Sequence, residues 1–295
     1  MRKLAIASGK GGVGKSMIAS SLAILFSKNK KKIIAVDCDV DTPNLSIWCG
    51  ESNRWEKIEK ISVSEKPIIN NKKLTKEKAK KCIERCKFNA LEIVKGELKV
   101  NYFLCESCGA CQYFCPPGTI KFKPIINGEI RVKTTRYGFP IISGYLYPGE
   151  TGSGKIVTEI KKKAEEFNKE IMLIDSAPGT GCPVIASLQD SNFVLLVTEP
   201  TPSGFSDLKR VLGVVNHFRI PWAVVINKYD LNKRLAIKIK KWAKTRFLGS
   251  ISYDRNIFKA ISNLTPIMET NLKARKEIIE IYNNLNRFLS KILKD

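Results

Sequence analysis

The stretch Gly9 to Ser16, GKGGVGKS, has the composition and spacing of an anion cradle. Gly9, Gly11, Gly12, Val13 and Gly14 make a turn that points successive backbone N–H groups at a bound anion. The positive end of a helix opening at Met17 adds to the attraction. Lys15 would reach the outer phosphates of a nucleotide, and the Ser16 hydroxyl would ligate Mg2+. Asp175 ends the apolar run from Ile171, the placement of a carboxylate that holds Mg2+ through water. The Gly-containing loop after it, Ser176 to Gly181, could sense a γ-phosphate. An aspartate ending a strand is in isolation an ordinary cap or turn residue; joined to this P-loop it reads as part of a nucleotide site.

A second constellation is made of sulfur. Six of the nine cysteines fall between Cys82 and Cys115, a clustering that reads as metal binding before a disulfide framework. Cys105, Cys108, Cys111 and Cys115, followed by Pro116, have the spacing of a bacterial ferredoxin run, in which the last cysteine serves the other cluster of a two-cluster fold. Upstream, Cys82 and Cys86 match the end of such a run, with Lys76 and Ala79 at its first two ligand positions, where neither can replace a thiolate. The arithmetic predicts one [4Fe-4S] cluster on Cys86, Cys105, Cys108 and Cys111. Cys82 and Cys115 are left as free thiols or a redox-active disulfide. Zinc is the competing reading, although zinc sites usually show paired C-x2-C knuckles and this is a contiguous run ending in proline.

The elements that must position these groups alternate. An apolar run at Leu4–Ala7 precedes the P-loop, a helical pattern over Met17–Phe26 follows it, and Lys32–Asp37 reads as a buried parallel strand. That strand delivers Asp37, Cys38 and Asp39 to its C-terminal edge, where ligands bind in open α/β sheets. From about Arg54 to Ile126 the chain is rich in lysine and cysteine without a long helical pattern, as in an inserted module. From Gly154 strands and helices alternate again through Ile171–Asp175, Phe193–Thr198 and Ala223–Ile226 to a final helix from about Leu272. This predicts an α/β P-loop fold with a mainly parallel sheet of about seven strands covered on both faces. The expected segments are 1–56 and 128–295 for the nucleotide domain and 57–127 for a small α+β ferredoxin-like insert. Gly149 to Lys155 repeats the P-loop spacing, but Ile156 replaces the hydroxyl and no apolar strand is expected before it.

Composition narrows the partners. The 295 residues carry a formal charge of +23 and 43% hydrophobic residues. The lysines are spread along the chain rather than gathered in a stripe with aromatics, which argues for a solvated surface over a nucleic-acid interface. No apolar run approaches the roughly 20 residues of a membrane span, and the N-terminus enters the first strand directly, so a cytoplasmic chain is expected. The last helix, Ala274 to Leu293, is amphipathic; docking on the sheet is favoured over membrane binding.

Lys10 supplies the most specific signal. The form K-G-G-x-G-K-S resembles the deviant P-loop of the MinD, ParA and nitrogenase iron protein ATPases. That resemblance implies ATP hydrolysis and an ATP-sandwich homodimer in which Lys10 reaches the partner subunit's nucleotide. It also implies that Asp39 orients the attacking water and that Asp37 sits nearer the magnesium. Asn227, Lys228 and Asp230 match N-K-x-D, which pairs with guanine in GTPases. In MinD-like ATPases the asparagine contacts adenine, so ATP is favoured over GTP. With the cysteine run, Thr135–Gly138, the Gly154–Lys155 pair, Gly181–Ser187 and Val197–Thr201, the chain resembles MinD superfamily ATPases containing an inserted ferredoxin domain. The expected function is an ATPase whose nucleotide cycle is coupled to electron transfer with a redox or iron–sulfur partner. The alternatives are a cluster carrier or scaffold and a MinD/ParA-like positioning switch. Cys182, seven residues after Asp175, matches a cluster cysteine of nitrogenase iron protein but has no second cysteine to work with, and a buried, inert thiol is expected.

Overall fold

The computed structural model describes residues 1–292; the last residue of the expected C-terminal helix, Leu293, lies outside them. The chain begins β1 (Arg2–Ser8), α1 (Lys15–Lys28), β2 (Ile33–Asp37), α2 (Leu45–Trp48) and β3 (Lys57–Ile61). It continues β4 (Ser64–Ile69), α3 (Lys76–Arg85), β5 (Leu91–Val94), β6 (Glu97–Val100), α4 (Cys111–Phe114) and β7 (Ile120–Ile125). Next come β8 (Gly128–Thr134), β9 (Pro140–Leu146), α5 (Ser153–Glu165), β10 (Ile171–Pro178), α6 (Cys182–Leu188) and β11 (Phe193–Thr198). The last part holds α7 (Pro202–His217), β12 (Trp222–Asn227), α8 (Lys233–Ala243), β13 (Phe247–Ile251), α9 (Asn256–Ser262) and α10 (Lys273–Ile292).

One compact unit comprises Met1–Ile58, Ile130–Tyr145 and Ser153–Asp295, of which the last three residues lie outside the description. Its sheet has nine strands in the order β13-β12-β11-β1-β10-β2-β9-β8-β3. Every pairing from β13 to β9 is parallel. The central strands, such as β2 and β11, are apolar and buried at nearly every position because both faces are covered. Leu4, Ile6, Ile33, Ala35, Leu195 and Val197 share one core with α1 and α10. The alternating residues Ala5, Ala7, Ile34, Val36, Val194 and Leu196 are buried on the opposite face, where α6 packs on β10 and α7 on β11. The order β1-β10-β2 brings the C-terminal ends of these three strands side by side.

The sheet has two strands more than the expected seven, and the serine, glycine and charged residues of β8 and β9 hide their apolar pattern. β9 leads into the second P-loop-like sequence, which corrects the expectation that no strand precedes it. Ile156, where a P-loop needs a hydroxyl, is fully buried in α5. β13 went unread because it is short and interrupted by Gly249. A Cβ there would lie 2.6 Å from Ile281 Cγ1, so the glycine lets α10 lie close against the sheet. The apolar face of α10 is in the core through Ala274, Ile278, Ile281, Tyr282 and Leu285, and Tyr282 meets Phe26 edge-on at 5.0 Å. Among the described residues no helix is long and apolar enough to cross a membrane. Ile278→Ala is expected to lower the unfolding free energy by about 2–5 kcal/mol, the cost of a core cavity, read from urea denaturation midpoints. A shift below about 0.5 kcal/mol, the usual range for surface sites, would mean that this face is not core.

The second compact unit comprises Glu59–Glu129 and Leu146–Gly152. β4 pairs antiparallel with β7, and β5 with β6. Asn127 ties its segments together: Oδ1 accepts the Val63 N–H at 2.9 Å and Nδ2 donates to Thr151 O at 2.7 Å. A small core of Ala79, Cys82, Leu91, Leu98, Cys115 and Ile120 holds the unit. α3, ten residues long, lies in a stretch where no long helical pattern is expected. Its lysines dominate the composition, and only Ala79 and Cys82, three residues apart on one face, are buried.

Candidate functional site

The P-loop crosses from β1 to α1 through Gly14, whose φ of 90° is left-handed. A Cβ on Gly14 would lie 2.2 Å from Asn227 Nδ2, so both the backbone and the space require glycine. Asn227 Nδ2 donates to Val13 O at 2.8 Å, and Lys228 Nζ donates to Gly12 O at 2.9 Å. The end of β12 therefore braces the loop from outside. Asp230 is placed elsewhere: it is exposed and its Oδ1 accepts the Tyr253 N–H at 2.8 Å, holding the segment after β13.

Beneath the loop lies a charged cluster. Lys15 Nζ donates to Asp175 Oδ1 at 2.6 Å, and both are buried. Register pairing sets Asp175 directly beside Asp37 on the neighbouring strand. Asp37 accepts the Leu45 N–H at 2.9 Å and the Asp39 N–H at 3.2 Å. Burial, reinforced by the charge of Asp175, pushes the Asp37 carboxyl up to about 8. Burial alone would lower the Lys15 ammonium, but Asp175, with Asp37 and Asp39 behind it, wins and raises it. Asp39 is half-buried and also raised by burial, with Lys15 opposing; its Oδ1 accepts from Thr42 Oγ1 at 3.2 Å.

A cavity of about 260 Å³ opens over this cluster. Lys10, Gly11, Gly12, Gly14, Lys15, Ser16, Met17, Asp39, Asn227 and Lys228 line it, while Asp37 and Asp175 lie below. Asn44, Trp48, Pro178, Tyr253 and Phe258 complete the walls. The sequence reading missed Trp48, Tyr253 and Phe258, although Tyr253 closely follows a strand end, the usual place for a ligand in a parallel sheet. Glu199 lies in the Val197–Thr201 run that carries the resemblance, but no role is expected of it from the sequence. Glu199 Oε1 pairs with Lys10 Nζ at 2.7 Å and Oε2 with Lys228 Nζ at 3.2 Å. Burial opposes, yet hydrogen bonds from Lys10 and Lys228 hold its carboxyl below the usual range. Asp175 Oδ2 is buried without a hydrogen-bond partner among the described residues, an acceptor that suits the water shell of Mg2+ near Ser16.

The second unit holds its own cavity of about 270 Å³ lined by Cys86, Cys105, Cys108 and Cys111 together with Leu91, Phe114 and Phe122. Ala90 N–H donates to Cys86 Sγ at 3.4 Å. Burial, then the neighbouring Cys105 and Cys108, push the Cys111 thiol up to about 11. Among the described residues no three His, Cys, Asp or Glu side chains close on a single metal ion; the thiols surround a space instead. Cys82 and Cys115 are joined as a disulfide with Cα atoms 5.5 Å apart. Cys182 is exposed at the start of α6, which corrects the expectation of a buried thiol. It opens a helix that presents Val184, Ser187 and Leu188 inward instead.

The sheet order, the phosphate cradle and the carboxylates beneath it define a P-loop nucleotide-binding protein with an α/β fold. The chain belongs to the CobQ/CobB/MinD/ParA nucleotide-binding domain family, whose pattern matches residues 4–267. An uncharacterised protein of Methanocaldococcus jannaschii is 37% identical over 288 residues, covering 97% of both chains. An uncharacterised ATP-binding protein of the same organism is 27% identical over 294 residues, 95% of this chain and 96% of its own. The septum site-determining protein MinD from Pyrococcus horikoshii, solved with Mg-ADP, shares the fold with a TM-score of 0.60 at 16% identity, covering 97% of this chain and 96% of that one. These likenesses concern the nucleotide-binding fold.

Proposed function

We propose that this chain is an ATP-dependent switch of the MinD/ParA type, in which ATP brings two copies together and hydrolysis releases them. The observation that carries the reading is the second P-loop lysine, Lys10, half-exposed at the cavity rim and paired, among the described residues, with the buried Glu199 carboxylate and the exposed Ser203 hydroxyl. A side chain so placed can exchange a carboxylate for the phosphates of a partner's nucleotide. Lys15 neutralises the phosphates in cis, Ser16 and Asp175 hold Mg2+ with Asp37 behind them, and Asp39 orients the water. Bound Mg2+ would supply charge neutralisation between phosphate oxygens. Asn227 lies beside Gly14 and lines the cavity, and ATP is preferred over GTP because a relative is ATP-binding by name and a fold neighbour was solved with Mg-ADP.

The four-thiol cavity favours a second, compatible reading: Cys86, Cys105, Cys108 and Cys111 hold one [4Fe-4S] cluster in a ferredoxin-like unit, whose chemistry would be one-electron transfer. Thiols spread around an apolar cavity, with a backbone N–H aimed at one sulfur, suit a cluster better than a single zinc ion, which draws its ligands to about 2.3 Å. The switch would then gate electron transfer to a protein partner or deliver the cluster.

Sedimentation velocity tests the first reading. The protein is expected to shift from monomer to dimer with Mg-ATP but not Mg-ADP, and Lys10→Ala is expected to remain monomeric while still binding nucleotide. A wild-type chain that stays monomeric with ATP would overturn it. Co-sedimentation with DNA or liposomes supports positioning, whereas a reduction potential that moves with Mg-ATP supports redox coupling.

A further inference from the structure

Ser107 stands between Cys105 and Cys108 and lines the thiol cavity. Its backbone is in the left-handed region, with φ at 52°, a conformation that costs a non-glycine residue free energy. Its Oγ is enclosed and has no hydrogen-bond partner among the described residues. A hydroxyl shut away from water without a partner is a net loss, and alanine or glycine would avoid it. The chain therefore bears a strained backbone and an unsatisfied donor at one position, beside a cavity walled mainly by thiols and apolar side chains, with Arg85, Lys87 and Glu106 also lining it. A ligand in that cavity carrying negative acceptor atoms would satisfy the donor. The sulfides and thiolates of an iron–sulfur cluster are such atoms.

We infer that the Ser107 hydroxyl donates a hydrogen bond to a sulfur of the bound cluster and thereby raises its reduction potential; this rests on the cluster reading above. Reduction adds negative charge to the cluster, and a donor aimed at sulfur stabilises the reduced form more than the oxidised one. Ala90 N–H, already directed at Cys86 Sγ at 3.4 Å, acts in the same sense from another side. Ser107 is thus a tuning residue and not a cluster ligand.

The test is a potentiometric titration of the full-length chain, reconstituted anaerobically with iron and sulfide, comparing wild type with Ser107→Ala and Ser107→Gly. Both variants are expected to keep the iron and sulfide content of wild type and to show a more negative midpoint, by the same amount in each. Unchanged midpoints would overturn the inference. So would a shift in Ser107→Ala alone, because glycine also lacks the hydroxyl but relieves the left-handed strain, and that result would assign the effect to the backbone. A wild-type chain that binds no iron would overturn the cluster reading and this inference together, and iron analysis distinguishes that failure before any potential is measured.

Discussion

Lys15→Met is expected to abolish nucleotide binding, weakening affinity by about a hundredfold or more, equivalent to about 2.7 kcal/mol. The effect is large because Lys15 is the cation buried against the cavity floor, with its ammonium 2.6 Å from Asp175 and Asp37 and Asp39 near enough to raise its affinity for protons. Without it, triphosphate would meet three carboxylates, and the cations left in the cavity lining, Lys10 and Lys228, are both paired with Glu199. The variant also leaves Asp175 buried without its cation. Breaking a buried pair costs about 3–5 kcal/mol when the remaining charge stays ionised. The neighbouring Asp37 carboxyl is already pushed up to about 8, so one proton can be taken up within this carboxylate pair and the actual stability loss is expected to be smaller. Isothermal titration with ATP analogues measures the first effect, and circular dichroism with thermal melting separates it from unfolding. Lys155→Met, in the second P-loop-like sequence, serves as control and should leave affinity unchanged. Retained nucleotide affinity in Lys15→Met would reject the site.

Cys108→Ser is expected to remove the cluster. Wild-type protein prepared anaerobically should hold about four iron and four sulfide per chain with broad visible absorbance, and the variant should lose most of both. Cys108 is exposed, so its replacement removes a ligand without opening a core cavity. Cys82 is different: it is fully buried and bonded to Cys115 in the small core, and changing it would confuse unfolding with ligand loss. Cys182→Ser, at an exposed thiol in the other unit, should retain full iron. Iron content unchanged in Cys108→Ser, or zinc in place of iron in wild type, would refute the assignment.

What was legible from residues alone was whatever is built from neighbours in the chain. The P-loop is contiguous: glycines at fixed offsets, then a lysine and a serine opening a helix, make an anion cradle by local backbone geometry. Three of the proposed cluster cysteines, Cys105, Cys108 and Cys111, are likewise spaced within one turn-rich segment. The alternation of apolar strands and helices announced a parallel sheet, because strands buried on both faces are apolar at successive positions. Elements broken by lysine or glycine, such as α3 and β13, escaped because their buried positions are few.

Tertiary structure alone decided which distant residues meet. The order β1-β10-β2 sets Asp175 beside Asp37, and β11 and β12 bring Glu199 between Lys10 and Lys228. The same holds for Cys86, which joins the other three thiols around one cavity, and for Cys182, which the fold leaves at the surface. Local spacing encodes a periodicity and a turn; it carries no information on which strand lies next to which. That adjacency is set by the burial of whole faces against one another, and it is what placed the charges around the cradle.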